Sequence, residues 1–411
     1  MTYDKIFGGL SLVKFLHTAD WHLGLKYKQL GNKAQKARDI RLKTAQKILK
    51  TARDNDVDFV LIAGDLLDSN QVDRNLVGEV SQMFQQISPI PVYVLPGNHD
   101  PLTRDSLFYD PVWESVDNLT IFQENKPVVT GNCTLYPCPV SQKQSRDDPT
   151  EWIKTQDESN QINIGVAHGN LHVGFIDEAN FPISPDRTQI SGLDYLALGE
   201  WHSLFQHPDS GGINRTVYPG TPETTKFGED QSGQTLLVEI DAPGSAPKIT
   251  PIRVGALIWQ KRGEEITGLP DAQYLEAELK SITEPGNQVI YLKLSGVTDQ
   301  ETISYLSQLE DHYHDYFLKL QVSLDELYLK PNLLELKALL PEGAVVNQTF
   351  EALTALMKTQ PEIQDYADIS SQRTQEIFNQ LRDQDLVEGL SPEVLNRAFL
   401  LMYQMIKEAS P

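Results

Sequence analysis

Runs rich in Val, Ile, Leu and Phe open the chain at 13–17 (VKFLH), 58–64 (DFVLIAG) and 91–97 (PVYVLPG), each closed by a glycine or a turn. Such runs predict strands buried on both faces. Between them, 34–54 and 73–87 carry apolar residues at helical spacing, giving the order strand, helix, strand, helix, strand. That alternation predicts a parallel sheet with right-handed crossovers, and sheets of this kind gather ligands beyond the C-terminal ends of their strands.

From 119 to 250 the pattern turns mostly to strands (LTIF, PVVT, CTLYP, INIGVAH, DYLALG, TVYPG, QTLLVEI), spaced by Gly, Pro, Asn and Asp. A second sheet packed on the first is the prediction. The Pro-, Gly- and Ala-rich stretch 242–251 reads as a domain boundary. Beyond it, strand and helix patterns mix to 330, and the remainder, with EALTALMKT, QEIFNQLRDQ and SPEVLNRAFLLMYQMIKEA, is helical and acidic. The expected organisation is an α/β domain over 1–250, a small α+β domain over 251–330 and a helical C-terminal region over 331–411.

Length and composition narrow the class. A chain of 411 residues allows two or three domains. No apolar stretch is long enough to span a membrane, and the N-terminus lacks the apolar core of a secretory signal, so a cytoplasmic protein is expected. Two cysteines, Cys133 and Cys138, are too few for a disulfide framework or a structural zinc site. The net charge of −22 argues against a nucleic-acid partner until its distribution is considered. The acidity sits after residue 110, whereas 26–53 hold ten Lys or Arg against one Asp.

Five clusters follow predicted strands: Asp20-Trp21-His22, Gly64-Asp65-Leu66-Leu67-Asp68, Gly97-Asn98-His99-Asp100, His168-Gly169 and Gly199-Glu200-Trp201-His202. Any one alone reads as turn or cap residues. As an ordered set they point to a two-metal site, which needs a bridging carboxylate plus imidazole, amide and carboxylate ligands from several strand ends. Asp65 is the natural bridge. Asp20 and His22 reach one ion if their strand has just ended, Asn98 offers a neutral oxygen, His168 and His202 offer nitrogen, and Glu200 a carboxylate. His99 and Asp68 are left as a proton-transfer pair, against the plainer account of a structural hydrogen-bonded pair.

The order D-x-H, GDxxD, GNHD, H and Gx-x-H resembles the calcineurin-like metallophosphoesterase superfamily. The longer strings HTADWHLG, VDFVLIAGDLLD and VYVLPGNHD are similar, more narrowly, to the nuclease subunits of SbcCD-type DNA double-strand-break repair complexes. The similarity is dense over 13–100, continues through VYPGTPETTKFGE and fades beyond 250. It implies a two-sheet αββα sandwich, a capping domain that shapes a DNA groove, and a helical tail leading to an SMC-like ATPase; it also allows a homodimer. By position it implies that Asp20, His22, Asp65 and His202 hold one metal ion, that Asp65, Asn98, His168 and Glu200 hold the other, and that His99, oriented by Asp68, protonates or stabilises the leaving oxygen. The ions implied are manganese, with magnesium as the substitute. Most relatives read G-H-x-H where this chain has Gly199-Glu200-Trp201-His202. Glutamate adds a negative charge and a hard oxygen donor, so a stronger preference for Mn or Mg is expected.

On the helix from Ala34, Lys36, Lys43, Lys47 and Lys50 share one face opposite Ala37, Ala45, Ile48, Leu49 and Ala52, as a solvated face or a phosphate-tracking stripe would. Lys26 and Lys28, directly after the D-x-H turn, are better placed for DNA contact. Trp21 and Trp201 either wall the site or pack in the core. The expected function is a metal-dependent phosphodiesterase acting on DNA ends. The alternatives are a phosphatase or phosphodiesterase of a small nucleotide or metabolite, which the −22 charge supports, and a non-catalytic scaffold.

Overall fold

The computed structural model describes residues 12–155, 161–172, 180–331 and 391–409, with isolated positions between 349 and 379. The chain divides into two compact units, Met1–Trp259 and Gln260–Pro411. In the first, β1 (Val13–Thr18), α1 (Ala34–Asp54), β2 (Phe59–Ala63), α2 (Arg74–Gln86), β3 (Val92–Leu95) and β4 (Leu119–Ile121) alternate as the periodicity predicts. They are followed by β5 (Val128–Thr130), β6 (Cys133–Cys138), β7 (Ile162–His168), α3 (Arg187–Ser191), β8 (Tyr195–Gly199), β9 (Phe205–Pro208), β10 (Asn214–Tyr218), β11 (Gln234–Ile240) and β12 (Lys248–Arg253).

These strands make two six-stranded sheets, in the orders β12-β11-β1-β2-β3-β4 and β5-β6-β7-β8-β10-β9. β1 to β4 run parallel, as do β6, β7, β8 and β10. Side chains alternate between two cores because successive Cβ atoms point to opposite faces of a strand. Phe59, Leu61 and Ala63 of β2 enter the core shared with Leu135, Ile164, Val166 and Ala197 of the other sheet, whereas Val60 and Ile62 pack under Ile48, Leu49, Val80 and Phe84 of the helices. The fold is therefore an α/β sandwich of two sheets between helices. Each large apolar side chain so covered contributes about 1.5–3 kcal/mol, which makes these strands firm supports for the loops at their ends.

The expected boundary at 250 moves outward. β12 pairs antiparallel with β11, from Glu239 opposite Lys248 to Gln234 opposite Arg253. The Pro- and Gly-rich residues before it form a hairpin within one sheet; such residues mark turns as readily as linkers. In the second unit, β13 (Ile258–Glu265), β14 (Gln288–Thr298) and β15 (Lys319–Leu329) form a three-stranded sheet, with α4 (Leu269–Ser281), α5 (Gln300–Leu306) and α6 (Leu309–His312). Leu275, Leu279, Ile290, Leu292 and Phe317 are in its core, so this stretch has the α+β character expected of 251–330. In the C-terminal region α7 (Pro392–Ala409) buries Leu395, Phe399, Leu400 and Tyr403. The helices expected at 351–359 and 375–384 lie almost wholly outside the described residues. No helix among the described residues is long and apolar enough to cross a membrane.

Candidate metal centre

The turns that follow β1 and β2 are fastened to each other. Asp20 N donates to Gly64 O at 3.0 Å, His22 N to Asp65 O at 2.9 Å and Leu23 N to Leu66 O at 3.0 Å. Within them Asp20, His22 and Asp65 take left-handed backbone, at φ 55°, 41° and 52°, and Glu200 after β8 stands at φ 104°. Such conformations cost about 1–3 kcal/mol each and persist where surrounding bonds enforce them. Here they turn side chains from three strand ends toward one point, where Asn98 and His99 arrive from a fourth. Two glycines permit the crowding: a Cβ on Gly64 would stand 2.0 Å from His168 Nδ1, and one on Gly97 2.2 Å from Asp65 Oδ1.

Asp65 Oδ2 lies between two imidazoles, 3.7 Å from His22 Nε2 and 3.5 Å from His168 Nε2. On one side His22 Nε2 is 3.2 Å from His202 Nε2, and Asp20, His22 and His202 offer ligand atoms within 4.8 Å of one another. On the other, Glu200 Oε2 is 3.0 Å from His168 Nε2 and accepts from Asn98 Nδ2 at 2.8 Å. Two further groups meet the same spacing: Asp20, Asp65 and His168, and His22, Asp65 and His99.

The hydrogen bonds around this cluster leave lone pairs facing inward, as cation binding requires. His168 Nδ1 donates to Ala63 O at 3.0 Å, so Nε2 carries a lone pair toward Asp65 and Glu200. Glu229 Oε1 stands 2.7 Å from His202 Nδ1 and fixes the same tautomer there. Asn98 Oδ1 is buried and has no hydrogen-bond partner among the described residues. An unpaired buried oxygen and lone pairs aimed at carboxylates are unfavourable unless a proton or a cation stands between them. Protons alone are held tightly here: although burial opposes charge, the Asp65 and Glu200 carboxylates keep His168 well above its ordinary pKa, and burial raises Asp20 to about 6 against the pull of His168 and His202. Burial likewise opposes ionisation of Asp65, but His168, His22 and His99 hold it below the usual carboxylate range. The residues fit divalent ions.

His99 stands at the exposed rim, its backbone N donating to Asp65 Oδ1 at 2.9 Å and its ring edge-on to His22 at 4.7 Å between centroids. The expected side-chain pair with Asp68 is replaced by another contact: His99 Nδ1 donates to the Asp68 backbone carbonyl at 3.0 Å. The Asp68 carboxylate instead approaches His22 Nδ1 at 3.7 Å. Asp68 sits at a bend after β2, where the main chain rather than the side chain faces His99. Lys26 is exposed and lines a groove of about 450 Å³ with Leu23, Asp68 and Ser69. Lys28 is also exposed but lines neither that groove nor the metal cavity. The Lys face of α1 is exposed and its Ala and Ile face buried. Trp21 is buried in the helix-side core, its indole bonded to Thr18 Oγ1, whereas Trp201 is exposed at the site.

Three supporting groups escaped the sequence reading. Glu229 orients His202 from 27 residues away. Buried Asp100 accepts from Gly97 N at 2.7 Å and Leu67 N at 2.8 Å, tying the second and third loops together. Arg41, on the buried face of α1, donates to Trp21 O at 2.5 Å and Glu223 O at 2.6 Å, and so clamps the first loop. Asp100 stands inside the Gly97-Asn98-His99-Asp100 cluster and Glu229 ends the VYPGTPETTKFGE string, though neither string shows what these carboxylates bond; Arg41 carried no local signal.

The family model described as calcineurin-like phosphoesterase matches residues 13–230. The chain belongs to that family. It is similar to the SbcD component of the nuclease SbcCD from Staphylococcus saprophyticus subsp. saprophyticus, at 23% identity over 318 residues, which covers 68% of this chain and 82% of the relative. The protein of the same name in Staphylococcus epidermidis is 25% identical over 261 residues, 56% of this chain and 66% of the relative. A solved structure, the calcineurin-like phosphoesterase YfkN from Bacillus subtilis, aligns with a TM-score of 0.35 at 14% identity, over 59% of this chain and 91% of that one.

Proposed function

We propose that this chain is a metal-dependent phosphodiesterase that cuts DNA at its ends, working in the cytoplasm as the nuclease subunit beside an SMC-like ATPase, and as a homodimer. The observation that carries the reading is the position of Asp65 Oδ2 between His22 and His168, with His99 at the rim. Asp20, His22, Asp65 and His202 would hold one ion, and Asp65, Asn98, His168 and Glu200 the other, manganese by preference because oxygen donors dominate the second set. Two divalent ions, held by these residues, would supply Lewis acidity for phosphodiester hydrolysis. Glu229 and Ala63 hold the tautomers of His202 and His168, so both present Nε2 inward. His99, its Nδ1–H fixed by the Asp68 carbonyl, would as the imidazolium also bear a proton on Nε2 to give to the leaving oxygen, work typically worth about a hundredfold to ten-thousandfold. Asp68 contributes through its carbonyl to His99 and through its carboxylate to His22.

The net charge of −22 supports a second reading, hydrolysis of a small nucleotide or metabolite. The test is hydrolysis by the purified protein with Mn, Mg or no metal, on end-labelled single- and double-stranded DNA and on bis-p-nitrophenyl phosphate, beside His99→Ala. Metal-dependent DNA cleavage lost in the variant supports the nuclease. Turnover of the small diester with DNA untouched, even with the ATPase partner added, supports the second reading, and no turnover of either supports a scaffold.

A further inference from the structure

Of the five tryptophans, all within the described residues, Trp201 is the one left exposed, at 54%. It sits between Glu200 and His202, both turned into the metal cluster. The turn that carries it is pinned from within, since Glu200 N donates to Asp20 Oδ1 at 3.0 Å and His202 is held by Glu229. With both neighbours directed inward, the indole is held at the mouth of a cavity of about 430 Å³, shared with Asp65, His99, Asn170 and Lys226. Among the described residues no ring contact covers it. A large rigid apolar face beside a polar, phosphate-competent cavity has no folding advantage, because exposure forfeits the burial that makes tryptophan stabilising. It does have the properties of a surface on which a flat ligand stacks.

We propose that Trp201 is a nucleobase-stacking platform, receiving the base next to the phosphate bound in the metal cavity, with the exposed Lys226 on the same rim meeting the adjoining backbone phosphate. The inference rests on the phosphodiesterase reading and narrows it to nucleotide polymers with at least one base at the cut. Stacking on an aromatic face is sequence-tolerant, since every base has such a face, whereas removal of the base abolishes it.

The test is binding, measured by anisotropy with Mn present in a His99→Ala background to suppress cleavage, of a labelled single-stranded oligonucleotide and of an abasic oligonucleotide of equal length. The protein carrying only His99→Ala should favour the base-bearing strand by roughly fivefold to 150-fold, the range that about 1–3 kcal/mol of stacking converts to. Adding Trp201→Ala should erase that preference while Trp201→Phe keeps most of it, and base binding should quench the indole emission that Trp201→Phe lacks. Equal binding of the two strands before Trp201 is changed, or an undiminished preference after Trp201→Ala, overturns the platform. Failure to bind either strand overturns the DNA reading itself and the platform with it.

Discussion

Glu229 Oε1 lies 2.7 Å from His202 Nδ1, and the same carboxylate accepts from Thr225 N at 2.7 Å and Thr225 Oγ1 at 2.6 Å. Although burial opposes its charge, these bonds keep Glu229 below the usual carboxylate range, and the contact with Glu229 raises His202 above its ordinary value against the same opposition. Glu229→Gln keeps the shape but can present an amide N–H to Nδ1 and reverse the tautomer. Its manganese affinity should fall about tenfold to a hundredfold, measured by calorimetric or paramagnetic titration, with little change in melting temperature.

In the proposed assignment Glu200 would set the character of the second metal position, whose donors would be oxygens of Asp65, Asn98 and Glu200 with the single nitrogen of His168, side chains that lie together here. Glu200→His exchanges a hard anionic donor for a neutral nitrogen and should move preference from Mn and Mg toward Zn and Co by about tenfold or more. Competition titrations of both forms read this directly; an unchanged order would place Glu200 outside the coordinating set.

Lys26, Lys43 and Lys47 are all exposed to solvent. If DNA lies along this side, each Lys→Ala should reduce the slope of log binding constant against log salt by about one, and base sequence should not matter. A slope that stays put in the triple variant would leave the face to solvent.

Both cysteines are fully buried, and burial pushes each thiol up to about 12 from an ordinary value of 9.0. Native protein at pH 8 should therefore show no thiol reactive toward a disulfide reagent, and denatured protein two. Because the folded-state values are raised, the native state retains protons that the unfolded chain releases between about 9 and about 12. Stability should fall as pH rises through that window, which denaturant titrations between pH 8 and 10 would detect as a declining midpoint.

The sandwich was legible because β1, β2 and β3 are covered on both faces and so read as unbroken apolar runs, and because polar clusters stand where those runs stop. The ligand candidates stand in short motifs whose order pointed to one site, and the family resemblance those motifs carry implied how they divide between two ions. Other features needed the folded chain. Whether 242–251 was a linker or a hairpin depended on the pairing of β12 with β11, a long-range event that turn-forming residues do not specify. That Asp68 reaches His99 through its carbonyl followed from backbone direction at a bend. Glu229, Arg41 and the exposed position of Trp201 follow from contacts between segments up to 182 residues apart. Local periodicity and the supply of donors are properties of the sequence; hydrogen-bond partners and solvent exposure are set by which distant segments pack together.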